Sequence, residues 1–446
     1  MTELDRLDRD LVVWFGEAAT PRVPDYVDDI VRETAPIRQR PRWTFPERWL
    51  PMTVVTLGRR ARRPVPWRTI GAIALVVVLL AAIVAVYVGT QRRLPSPFGL
   101  AANGSIAYVQ TGPVYENKTE YHEPFGDIVT VDPATGRTNV LVGGPELDGE
   151  PVYSLDGSRL SFVRKGDAGV ALYAIDDRGG GLVRLTRDAL PSIREAAWSP
   201  DGRTVAFTVA SGGRSDLWLA RTDGSDAHAV HVGVSAVAPQ WRPPDGSELL
   251  FVGSSMPGVA TLGDYHGILG ADSVTGLAIY RYRLLSGDLR PVGRPGGSGF
   301  DYGTTSWTPD GQRIVTQLQD TNGDVHVVVL DADGTEVSRF DAPAVGDSAM
   351  APIVSPDGQR VAYAVIDTTD RWHVDVRSLD GTGRDLTFVH EFHGPAASMR
   401  WSPDAKRLIV NHHYDAETWS LDFGDQRARL ASWADPGYTS YQRRAE

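Results

Sequence analysis

Along most of this chain, apolar and polar residues alternate in short runs, and each run is bounded by a turn built around Asp and usually Gly. Six copies of that turn stand out: Leu155-Asp156-Gly157, Pro200-Asp201-Gly202, Pro244-Asp245-Gly246, Pro309-Asp310-Gly311, Pro356-Asp357-Gly358 and Pro403-Asp404-Ala405. From Asp to Asp the spacings are 45, 44, 65, 47 and 47 residues. Pro sets φ for the second position of a type I turn, Asp bonds to nearby backbone, and Gly tolerates the left-handed geometry that closes a hairpin. After each turn the period is two, as in Leu160/Phe162, Val205/Phe207, Leu249/Phe251, Val361/Tyr363 and Leu408/Val410. That is the signature of half-buried strands.

A second hairpin follows in every unit, with first strands expected at Ala171–Asp176, Asp216–Arg221, Ala278–Leu284, Val325–Asp331, Val374–Leu379 and Glu417–Asp422. Four antiparallel strands per period of about 45 residues make one propeller blade. Three strands precede the first full copy: Ser105–Val109, Asp127–Asp132 and Thr138–Val142. They match a blade that lacks its innermost strand, and Tyr438–Gln442 at the other end is a strand without a blade. Pairing the two closes the ring and protects its edges. The expected fold is all-β, a seven-bladed propeller over 103–446, with six blades as the alternative if one unit is degenerate.

The repeats resemble the TolB-like, WD-repeat-like β-propeller family, whose copies carry the same Ser-Pro-Asp-Gly turn followed by a strand of the Arg-Val-Ala-Phe type. The unit at Trp241 departs from the pattern, with Pro243-Pro244 doubled and about twenty extra residues. Members of that family include periplasmic envelope proteins and the non-catalytic propeller of prolyl-oligopeptidase-like enzymes. The resemblance therefore implies a fold and leaves the activity open.

Ile70–Val88 is nineteen residues without a charge or a strong polar group. As a helix it extends about 28 Å, close to the thickness of a bilayer's hydrocarbon core. The sequence thus predicts one transmembrane helix within 69–90, after a head at 1–52 with two short helices and an Arg-rich stretch at 53–68, and before a linker at 91–102. Arg59, Arg60, Arg62, Arg63 and Arg68 flank its N-terminal side, against Arg92 and Arg93 on the other. The positive-inside rule then puts the N-terminus in the cytoplasm and the propeller outside, in a single-pass cell-membrane protein. Residues 1–68 carry 13 Arg and 10 acids, leaving 32 basic and 46 acidic residues for the rest. The basic collar suits the anionic inner leaflet, and the acidic propeller argues against nucleic acid as a partner. For the head two readings stand: an interfacial segment with Trp43 and Trp49 at the membrane surface, or a docking site for a cytoplasmic protein. The layout also resembles that of membrane-anchored anti-sigma factors, without their zinc-binding His-Cys-Cys signature.

No cysteine occurs, which excludes disulfides, thiolate catalysis and Cys-ligated zinc. No Gly-x-Ser-x-Gly elbow, phosphate loop or His-Glu-x-x-His motif is present. We therefore expect a non-enzymatic protein without a cofactor that binds protein, peptide or glycan. A signalling receptor coupled to residues 1–52 is the alternative, and a metal-dependent hydrolase or lyase a minor one. Blade topology places the long insertions Thr111–Phe125 and Gly253–Thr275 on the face away from the Asp-Gly turns. Loops carry binding function, so Tyr115, Tyr121, His122, Tyr265 and His266 on that distal rim are the candidate contacts. His390 and His393, expected in the loop entering the last blade, and His412 with its neighbour His413 map to the same face. One of that last pair at most could join a metal set. The recurrent Trp198, Trp241, Trp307 and Trp401 are read as packing between blades.

Overall fold

Each Asp-Gly turn is stapled locally before it closes a hairpin. In the copies at 154, 199, 308 and 402 a buried Ser or Thr hydroxyl donates to the Asp carboxylate two residues on, at 2.6–2.7 Å. The same carboxylate accepts the N–H two residues further along, as Asp201 does from Arg203 at 3.0 Å. The residue after Asp takes positive φ: Gly157 68°, Gly202 65°, Gly246 67°, Gly311 66°, Gly358 69° and Ala405 57°. The turn chemistry is thus complete within six residues, and strand pairing extends from it.

In the computed structural model the described residues are 73–78, 80 and 94–445, without 111–124, 213, 255–276, 294–300, 342–346, 370, 381–385, 394–397, 413–416, 432 and 434–438. Two compact units are distinguished, Met1–Gln91 and Arg92–Glu446. Of the first, residues 73–78 and 80 are helical and their large apolar side chains are exposed. Among the described residues no helix is long and apolar enough to cross a membrane. The rest of Ile70–Val88, the head and the Arg-rich stretch lie outside the described residues.

In the second unit the strands form seven four-stranded antiparallel sheets. The count is seven, not six. Six blades run in simple sequence order, with innermost strands Leu147–Tyr153, Arg194–Trp198, Ser235–Trp241, Asp301–Trp307, Ser348–Val354 and Met399–Trp401 for blades 2 to 7. Blade 1 is composite. Its innermost strand is the C-terminal Ser440–Arg444, paired antiparallel with Ala102–Gln110 through Ala102↔Arg444 and Ala107↔Ser440. The closing strand also reaches blade 2. Ser440 Oγ accepts the N–H of Tyr153 at 2.9 Å, and the Gln442 amide donates to Gly157 O at 2.9 Å and to Asp177 at 3.0 Å. Asn411 of blade 7 donates to Thr439 Oγ1 at 3.2 Å. The outermost strand of blade 6 is longer than the sequence implied: Leu386–His393 pairs along Arg371–Ser378, so His390 and His393 belong to a strand and not to a loop.

Core residues alternate along the second and third strands and fill the wedges between blades. Ala206, Leu217 and Leu219 of blade 3 pack with Ala236, Leu249 and Phe251 of blade 4, all under a tenth exposed. Val327, Val329 and Val315 of blade 5 meet Tyr363, Val361 and Val365 of blade 6. Charge enters the wedge between blades 4 and 5 with partners. Glu248, 5% exposed, faces Arg242 at 2.9 Å, Arg283 at 2.8 Å and Arg281 at 3.4 Å. Two of those arginines also hold blade 5: Arg242 donates to Gly311 O at 3.3 Å and Arg281 to Ala332 O at 2.7 Å. Burial opposes the Glu248 charge, but the hydrogen bonds from Arg283 and Arg242 and the Arg281 charge outweigh it, and its pKa is lowered.

Two predictions follow from this packing. Adding a Cβ at Gly311 would put it 2.0 Å from Pro243 O, whereas at Gly202 nothing lies within 4 Å. Gly202→Ala should therefore lose only the left-handed penalty of about 1–3 kcal/mol, and Gly311→Ala should lose clearly more, as read from urea unfolding. The second concerns pH. A carboxylate with a lowered folded pKa stabilises above its unfolded pKa of about 4.3 and loses that contribution as pH falls through the folded value. Glu248→Gln should accordingly destabilise at pH 7 and converge towards the parent in acid, measured by thermal melts from pH 7 to pH 3.

Candidate functional site

The innermost strands ring a channel, and those of blades 2, 3, 4 and 6 carry a bulge at the same place, where the ladder slips between Gly149 and Val152, Arg194 and Ala197, Val237 and Gln240, and Met350 and Ile353. The extra residue sits at positive φ although it is not glycine: Glu150 49°, Glu195 54°, Ala238 50° and Ala351 52°. Such strain persists only where surroundings hold it. Here a side chain of the preceding blade holds the freed N–H: Glu195 accepts from Ala238, and Gln317 Oε1 from Ala351 at 3.1 Å.

Five of the seven inner strands end on an aromatic residue, Tyr153, Trp198, Trp241, Trp307 and Trp401. Trp198, Trp241, Trp307 and Trp401 are 2–8% exposed. Three indoles donate to the inner strand of the blade before: Trp198 Nε1 to Val152 O at 3.0 Å, Trp241 to Ala197 O at 2.9 Å and Trp401 to Ile353 O at 3.2 Å. Arginines from the preceding blade lie over the rings, Arg159 over Trp198 at 5.9 Å, Arg242 over Trp307 at 5.3 Å and Arg360 over Trp401 at 5.1 Å. These tryptophans are inter-blade struts, as their recurrence implied. Trp307 differs, because its Nε1 is buried without a hydrogen-bond partner while Gln240 donates across the junction to Thr305 O.

On the Asp-Gly face the strut edges open onto a cavity of about 310 Å³, with walls from Val152, Trp198, Gln240, Trp241, Ser306 and Trp307. The chain's own Pro97-Phe98-Gly99 forms part of its wall. Arg443 of the closing strand ties that segment down, donating from Nη2 to Ser96 O at 3.0 Å and Gly99 O at 2.8 Å. Burial pushes the Arg443 pKa down to about 10. The linker is then handed to blade 7 by Ala101 N–H to Pro403 O at 3.0 Å. Sequence reasoning missed this site. Its one linear signal is a Pro-x-Pro-Phe run directly before the first strand of the ring.

The strands that flank the predicted contacts end on the opposite face. Strand ends Gln110 and Asp127, and Ser254 and Ala278, emerge there, flanking the two long connections. Tyr115, Tyr121, His122, Tyr265 and His266 lie within those connections, outside the described residues. His390 and His393 sit in the outermost strand of blade 6, and His412 ends the second strand of blade 7 opposite Glu417. The ends at His393 and His412 belong to adjacent blades and to this same face. Among the described residues no group of three His, Asp or Glu could hold a metal ion.

No family model matches the chain. Over 118 residues it is 30% identical to the Tol-Pal system protein TolB of Anaeromyxobacter dehalogenans, a stretch covering 26% of each protein. By sequence, then, the chain is similar to TolB. The match spans about a quarter of the length of the TolB relatives concerned. Among solved structures, a prolyl endopeptidase matches at 16% identity with a TM-score of 0.50, over 76% of this chain and 51% of that one. An oligogalacturonate lyase in complex with manganese matches at 13% identity and 0.50, over 76% of this chain and 85% of that one. At these identities the two structures establish the propeller fold and nothing of its chemistry.

The strut geometry makes a direct test. Trp241→Phe removes a buried donor and strands Ala197 O, which should cost about 1–3 kcal/mol. Trp307→Phe removes no hydrogen bond and should cost distinctly less in the same urea titration.

Proposed function

We propose that this is a single-span membrane protein whose extracytoplasmic propeller binds protein, peptide or glycan and performs no catalysis itself. The observation that carries this reading is polarity of the ring: the linker arrives on the Asp-Gly face, and both long connections leave from the other. In this reading the tether enters on the Asp-Gly face, which leaves the distal rim with its long connections free to meet a partner. Tyr115, Tyr121, His122, Tyr265 and His266 then stand where an external partner is met, joined by His390, His393 and His412 on the neighbouring strands. In support of the anchor, residues 73–78 and 80 are helical and present apolar side chains 54–65% exposed, a surface that lipid would cover. The five arginines from Arg59 to Arg68 sit on the inner leaflet in this arrangement. The similarity to TolB agrees with an envelope location and a binding role.

A second reading is favoured by one feature, the place of Leu94–Gly99: Pro97-Phe98-Gly99 lines the channel mouth, and Leu94 follows the apolar segment by only five intervening residues in the sequence. A ligand that altered the mouth would act on the helix and, through it, on a cytoplasmic protein docked to residues 1–52. In that case the protein is a receptor.

The absence of native cysteine allows a clean topology test. In spheroplasts, a membrane-impermeant maleimide should label Ser225→Cys, which lies in an exposed turn of blade 3, and should leave Thr2→Cys unlabelled until the cells are lysed. Labelling of Thr2→Cys and not Ser225→Cys would reverse the orientation.

A further inference from the structure

We infer that the channel mouth on the Asp-Gly face is a binding site for bent segments carrying proline beside an aromatic residue, and that Leu94–Gly99 is its displaceable resident. The mouth has the chemistry such segments need. Its walls are indole edges and apolar strand ends, with Gln240 and Ser306 as the polar groups between them. Prolines bring no N–H that would have to find an acceptor against aromatic walls, and their fixed φ leaves less backbone freedom to lose on binding. The bend at Pro97-Phe98-Gly99, with Gly99 at φ 85°, turns two carbonyls three residues apart towards one guanidinium nitrogen of Arg443.

The resident itself is held lightly. Among the described residues, 94–100 pair with no strand, and Leu94 and Leu100 at its ends are 51% and 55% exposed. A cavity of about 310 Å³ remains beside Pro97-Phe98-Gly99, so the resident does not fill the seat it occupies. Its grip consists of the Arg443 contacts and the Pro-Phe packing, and both are features that a second segment of like sequence reproduces. Competition in trans is therefore open to any such segment, including one from a partner protein. The inference rests on the propeller alone and holds whichever way the chain is oriented in a membrane.

The test uses the full chain in detergent micelles, with Ser96→Cys carrying a bimane whose emission the wall tryptophans quench. The probe is the heptapeptide of residues 94–100, Leu-Pro-Ser-Pro-Phe-Gly-Leu. Bimane emission should be low at rest and rise severalfold as the peptide saturates. The same peptide with alanine in place of phenylalanine should leave it low. Adding Phe98→Ala to the labelled chain loosens the resident and should lower the peptide concentration at half-effect about tenfold, equivalent to about 1.4 kcal/mol. Melts monitored by circular dichroism show whether that variant still folds, and the parent chain decides the matter if it does not. Emission that ignores saturating heptapeptide in the parent, or that responds equally to the alanine peptide, overturns the proposal.

Discussion

The structure depends on one antiparallel pairing, Ala102–Gln110 with Ser440–Arg444. These strands are separated by most of the propeller's sequence, so their contact is the most costly in loop entropy, and its register needs every blade between them in place. Once formed, it converts six self-contained hairpin stacks and one incomplete blade into a ring without open inner edges. The side chains of the closing strand show the same purpose. Ser440 and Gln442 face blade 2, Thr439 meets blade 7, and Arg443 holds the incoming linker. A single five-residue strand therefore fastens both neighbours and the entry of the chain.

Between blades, hydrophobic wedges supply the bulk of the adhesion, and directional contacts set the angle at which each sheet meets the next. An indole donating to the previous inner strand, an arginine laid over that indole, and a side chain capping the left-handed bulge recur around the ring. None of these depends on the loops at either face. That independence lets the long connections vary in length without disturbing the ring, as the interval of 65 residues between Asp245 and Asp310 illustrates.

Much of the fold was legible in the sequence because its determinants are local and repeated. Ser-Pro-Asp-Gly builds the turn from neighbouring residues, alternation marks the strands, and an unpaired stretch at each end implies closure. Strand limits slipped where packing overrides local pattern, as in Leu386–His393, whose outer position is fixed by the partner strand Arg371–Ser378. The channel mouth was not legible. Gln240, Ser306, Phe98 and Arg443 come from four separate parts of the chain, each unremarkable in its own context, and only ring closure brings them to one wall. The predicted distal contacts belong to connections that no repeat pattern constrains, so sequence could assign them a face but no geometry.

The clasp also decides how the ring would answer mechanical load. Ala102, where the tether joins the propeller, pairs with Arg444, close to the end of the chain. A pull on the chain ahead of Ala102 would therefore load the closing pair itself, because Ala102 bonds to the strand that shuts the ring.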